Sequence, residues 1–124
     1  MNQVLAIAAG GAVGSVLRYW TSLGVHHLFG RGFPYGTLAV NVLGSLVIGV
    51  LYVLLVERSS LGAEWRAILI TGFLGGFTTF SAFSLETVVL LQQAEHFKAV
   101  LNIALSVAVC LAATLLGLYA GRQL

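Results

Sequence analysis

Residues 71–86 read TGFLGGFTTFSAFSLE, and their reading decides the fold. They place Gly72, Gly75 and Gly76, the hydroxyls of Thr78, Thr79 and Ser81, and a cluster of phenylalanines in a chain otherwise rich in Leu, Val, Ala and Gly. The apolar segment around them runs from about Trp65 to Leu91. As one straight helix it would rise about 40 Å, at about 1.5 Å per residue, whereas a hydrocarbon core is about 30 Å thick. Its middle, Gly75-Gly76-Phe77-Thr78-Thr79, consists of poor helix formers. A break there resolves both facts. It also frees amides and carbonyls that lipid does not satisfy, so the segment is expected to interrupt the helix near mid-membrane and to build a site.

Composition sets the solvent. Of the 124 residues, 59% are hydrophobic and 8% are charged, and the mean hydropathy is +1.00. Soluble domains carry about 25% charged residues, so this chain is expected to live in lipid as a single domain, 1–124. Three further segments are apolar enough to span: about Val4–Val25, Gly36–Val56 and Phe97–Tyr119. The fold class is therefore an all-α membrane protein of four transmembrane helices. The first span lacks the basic start and cleavage site of a secretory signal and reads as retained. Short loops join the spans, the first of them carrying His26-His27, with Gly24, Gly30, Gly32 and Pro34 as its punctuation. A net charge of +2 from scattered cations excludes a nucleic-acid surface. Cys110, alone in an apolar run, reads as a small buried hydrophobe, and no Cys/His pair has metal-ligand spacing.

Four spans put both termini on one side. That side holds Arg58, Arg66 and Arg122; the other holds Arg31, Lys98 and Arg18. Such a balance gives orientation almost no preference. Either the count is uninformative or the chain inserts both ways, and two opposite copies then form an antiparallel homodimer. Small-residue spacings at Gly10/Gly14, Ser45/Gly49 and Gly72/Gly76 predict close helix packing.

Polar groups within spans mark partners or pathways. They are Arg18; Thr37 and Asn41; Thr71, Thr78, Thr79, Ser81, Ser84, Glu86 and Thr87; and Asn102, Ser106 and Thr114. Most are donors, which suits an anion, and aromatic edges are positive too. Phe80 and Phe83, three apart, would share a face of a resumed helix and add their edges to a dehydrated slot, or would simply pack with Phe77 as a stripe. Moving a carboxylate-sized ion into low dielectric costs on the order of 20 kcal/mol, against roughly 1.5–3 kcal/mol net from one hydrogen bond to a charge. A path therefore needs a track of donors.

With these motifs in view, the chain resembles the CrcB/Fluc fluoride channels. GFLGGFTTFSAFSLE (72–86) is similar to that family's third-helix signature, GTLAVNVLGS (36–45) to its second, and GGAVGSVLRYW (10–20) to its first. The resemblance covers essentially the whole chain. It implies passive fluoride export that relieves fluoride toxicity, through two pores at the interface of an antiparallel dual-topology homodimer in a bacterial inner membrane. It implies that Phe80 and Phe83 line the pores by their ring edges, that Asn41 is the pore asparagine, that Thr79, Ser81, Ser84 and Ser106 belong to a polar track, and that Arg18 stands near the vestibule. It implies a structural sodium ion at the dimer axis, held by the backbone carbonyls of Gly75 and Thr78. Asn102 and Cys110 depart from the tyrosine and serine of some members. Arg18 could equally snorkel, and Glu86 could be protonated or paired with a hydroxyl.

Two rival readings are a dual-topology antiporter, which needs a proton-exchanging carboxylate for which Glu86 is the candidate, and a non-transporting assembly protein, which leaves the donor-rich segment unexplained. No nucleophile–base pair, metal cluster or phosphate loop points to an enzyme.

Overall fold

The computed structural model describes residues 2–59 and 61–124, and among these every regular element is a helix and no strand occurs. Four stretches are long and apolar enough to cross a membrane: Gln3–Phe29, Tyr35–Glu57, Ala63–Gln92 and His96–Gln123. Each contains or nearly contains the span expected from hydropathy.

Helix α1 (Gln3–Phe29) begins where Asn2 caps it, its side-chain oxygen accepting from the Val4 amide at 2.7 Å. It ends at Gly30, whose φ of +84° suits a residue without Cβ and whose amide reaches back to the His26 carbonyl. Gly24, His26 and His27, expected in a loop, thus lie inside the helix. A single mid-helix glycine costs only about 1 kcal/mol relative to alanine, too little to stop a span whose neighbours favour helix. Pro34 precedes α2 (Tyr35–Tyr52), which winds on as a wider π-helical turn over Val53–Glu57.

The third span is composite. A short α3 (Ala63–Arg66) leads into π-helix over Ala67–Leu74 and one α-turn, α4 (Gly75–Phe77). Thr78 (φ −89°, ψ 159°) and Thr79 (φ −153°, ψ 116°) are extended. Helix α5 (Phe80–Gln92) follows, and α6 (His96–Gln123) completes the bundle.

Two glycine seams hold the helices together. Gly10 and Gly14 of α1 meet the third span so closely that an added Cβ would collide with the carbonyls of Ile68 and Phe73, and Gly72 and Gly76 return the contact at Ile7 and Gly11. Backbone approach of this kind gains dispersion and Cα–H···O contacts that larger side chains forbid. The second seam sets Gly49 of α2 against Gly117 of α6, and Val53 against Gly121. Both pairs advance together along the chain, so α2 and α6 run parallel. At the end that holds the C-terminus, Arg122 forms an exposed ion pair with Glu57 at 2.9 Å, and Arg58 donates to the carbonyls of Arg122 and Leu124.

Candidate ion-binding groove

The extended pair Thr78–Thr79 creates the site by what it does to hydrogen bonding. In an uninterrupted helix the Thr79 amide would bond to the Gly75 carbonyl. It bonds instead to Asn41 Oδ1 at 2.8 Å, while Asn41 Nδ2 donates to the Thr79 carbonyl at 3.0 Å. Asn41 thereby serves Thr79 as a strand neighbour would, reaching across from α2. Thr79 in turn caps α5: its Oγ1 accepts from the Ala82 amide at 3.1 Å and lies 3.3 Å from Ser81 Oγ. The Thr78 hydroxyl donates to the Leu74 carbonyl at 2.9 Å. The interruption is thus largely satisfied from within, with the positive end of the α5 dipole at Phe80.

A groove of about 470 Å³ opens beside it. Asn41, Gly44 and Ser45 of α2, Gly75, Thr78 and Thr79 of the third span, and Ser106 and Cys110 of α6 line it, with the exposed Phe80 and the half-buried Phe83 at its rim. The Phe80 and Phe83 rings are 5.3 Å apart, centroid to centroid, and tilted by 50° to one another. They differ from Phe77, which is buried and stacked on Phe73 at 5.8 Å. Phe80 is 77% exposed on the single chain.

Of the residues expected from sequence, Asn41, Thr79, Phe80, Phe83 and Ser106 line this one groove, as do Gly75 and Thr78. Ser81 and Ser84 lie on exposed turns of α5 outside it, and Arg18, on α1, is outside it as well. Ser45 and Cys110 line it too, although the spacing of Ser45 from Gly49 suits close packing and the apolar run around Cys110 suits burial. The available signal was period alone. Asn41 and Ser45, like Ser106 and Cys110, are four apart and share a helix face.

Behind the rim runs a buried polar chain. Thr87 donates to the Phe83 carbonyl at 2.8 Å, Asn102 Nδ2 donates to Thr87 Oγ1 at 2.9 Å, and Ser106 Oγ lies 3.5 Å from Asn102 Oδ1. Asn102 is only 2% exposed. The chain ties α5 to α6 and fixes the backbone that carries Phe83. Glu86 takes no part in it, and its buried Oε1 has no hydrogen-bond partner among the described residues.

This geometry accompanies a family match over most of the chain. The profile described as "CrcB-like protein, Camphor Resistance (CrcB)" matches residues 5–118. The chain belongs to the CrcB-like family. A fluoride-specific ion channel FluC of Shewanella amazonensis is 55% identical over 117 residues, 94% of each chain. One of Geobacter sulfurreducens is 52% identical over 124 residues, the whole of each chain. One of Coxiella burnetii is 48% identical over 123 residues, 98% of this chain and 99% of that relative. The family is one of ion channels and not of enzymes. No group of three or more metal-binding side chains occurs among the described residues.

Proposed function

We propose that this chain is a fluoride channel that exports the ion passively, with the groove as half of its path. The observation that carries the reading is the groove itself, where hydroxyls, the Asn41 amide and two tilted phenyl rings converge beside a non-helical backbone. The relatives' names supply the ion. Fluoride is small and strongly hydrated, so its path must replace water by many weak donors, and ring edges contribute positive potential without the trap of a fixed cation.

One chain leaves this face open. Phe80 and Gly75 are exposed beside polar backbone, an arrangement that lipid does not satisfy. A second copy covers it, and the balance of cations leaves it free to insert in the opposite orientation, which gives an antiparallel homodimer with two equivalent paths. The location that goes with this reading is the inner membrane of a bacterium, as the family resemblance implies.

The residues at the same face also fit a sodium ion shared between the copies. The Gly75 carbonyl loses its usual amide partner because Thr79 bonds to Asn41, and an added Cβ on Gly75 would meet nothing nearer than the Ile70 carbonyl oxygen at 4.0 Å. Backbone carbonyls are the hard oxygen donors that such a cation takes. The carbonyls of Gly75 and Thr78 would hold it, and its charge would fasten the two interruptions together.

Replacing Phe83 with Ile tests the path. Fluoride efflux from liposomes should collapse while the dimer persists on size-exclusion chromatography. Unchanged efflux would contradict the assignment of the rings. A proton-coupled antiporter would instead lose transport on Glu86→Gln and would need a pH gradient.

A further inference from the structure

We infer that Ser45 is a further ion-contacting residue of this path, a hydroxyl donor on α2 one helical turn beyond Asn41. The inference rests on the channel reading above and adds to it a residue to which the resemblance assigns no role.

Four hydroxyls line the groove: those of Ser45, Thr78, Thr79 and Ser106. Three are committed. Thr78 gives its proton to the Leu74 carbonyl, Thr79 shares with Ser81, and Ser106 faces Asn102 Oδ1. Ser45 has no hydrogen-bond partner among the described residues. A helical serine commonly spends its proton on the carbonyl one turn earlier. Ser45 does not, so its O–H is available to whatever occupies the groove. Asn41 is less free than its type suggests, because its oxygen and one N–H are both held by Thr79.

Position makes the free hydroxyl useful. Asn41 and Ser45 are four apart on α2, about 6 Å along the helix axis. Gly49 packs at Gly117 on the parallel α6, so Ser45, one turn before Gly49, stands near Ala113, just past Cys110. By the same register Asn41 stands level with Val109, beside Cys110, and Ser45 extends the groove's lining one turn beyond it. Cys110 offers only a weak S–H donor. Without Ser45, an anion moving on from Asn41 would meet an apolar wall of Gly44, Ile48 and Leu111. The small size that made Ser45 look like a packing residue is also what leaves the groove open beside it.

The test compares the unmodified protein with Ser45→Ala and Ser45→Thr, each reconstituted in liposomes loaded with potassium fluoride. Ser45→Ala removes the donor and little volume. Its fluoride efflux should fall about tenfold or more, the scale of one hydrogen bond to an ion, with the dimer and its melting temperature unchanged. Ser45→Thr restores the hydroxyl and should conduct clearly faster than Ser45→Ala. Efflux from Ser45→Ala equal to the unmodified protein would overturn the inference. So would a loss of efflux matched by a lowered melting temperature, or a threonine variant no better than alanine. Absence of efflux from the unmodified protein would overturn the channel reading itself, and this inference with it.

Discussion

The Asn41→Ala substitution probes the local structure on which the groove depends. Asn41 makes two hydrogen bonds to the backbone of Thr79, of 2.8 and 3.0 Å, and both vanish together. Interhelical hydrogen bonds in membrane proteins average about 0.6 kcal/mol, with a maximum near 1.7 kcal/mol, so two are worth about 1–3 kcal/mol. Leaving the Thr79 amide and carbonyl unpaired at this depth pushes the cost toward the upper end. For a chain of this length 1 kcal/mol corresponds to about 4 °C, and the melting temperature should fall by roughly 4–12 °C. The extended conformation of Thr78–Thr79 loses its support in the same step. The α4–α5 junction then has reason to close into continuous helix, which would rotate Phe80 and Phe83 relative to α2. Fluoride efflux should therefore fall much further than the stability loss alone explains. Thermal unfolding in detergent and efflux from liposomes read the two effects separately. A variant that melts within about 1 °C of the parent and conducts at the parent's rate would refute the role assigned to these bonds.

Other consequences follow from the packing. Gly14→Ala drives a Cβ into the Phe73 carbonyl and should destabilise by about 1–3 kcal/mol or prevent assembly, whereas Gly24→Ala, with nothing within 4 Å, should be neutral or slightly stabilising; thermal melts of the pair decide it. Thr87→Val keeps the shape but strands the buried Asn102 amide, and should cost about 1–3 kcal/mol, measured the same way. Glu57→Gln breaks the exposed pair with Arg122 and should hardly move the melt. Cysteines placed singly in the α1–α2 and α5–α6 connections should label from both faces of the membrane; labelling from one face only would remove the dual-topology proposal.

Hydropathy made the four spans legible because a lipid-crossing helix needs length and apolar composition, and both can be read without tertiary context. Their ends were less legible. Gly24 reads as loop punctuation together with Gly30, yet α1 runs through it to Phe29 and stops at Gly30, where φ is positive. The glycine spacings of α1 and the third span pointed correctly to contact, since only small residues let backbones meet. Ser45 shows the limit of that rule: its size fits a seam as well as a groove, and only the placement of α6 separates the two. The π-helical turns at Val53–Glu57 and Ala67–Leu74 left no signal in sequence, because an apolar run satisfies either winding. At the site, Asn41, Phe80, Phe83, Thr79 and Ser106 were identifiable as polar or aromatic oddities in an apolar chain, and they share the groove. Ser81, Ser84 and Arg18 are equally odd: the Ser81 hydroxyl lies 3.3 Å from Thr79 Oγ1, while Ser84 and Arg18 are not among the residues that line the groove of the single chain. The part Asn102 plays behind Phe83 depends on α5 meeting α6, a contact that no local pattern encodes.

The most direct test of the central claim is ion efflux from liposomes that contain only the purified protein. Vesicles loaded with potassium fluoride or potassium chloride are opened to potassium by valinomycin and followed with ion-selective electrodes, without a pH gradient. The account predicts rapid fluoride efflux and no chloride efflux. Absence of fluoride efflux, equal passage of chloride, or fluoride movement only under a proton gradient would contradict it.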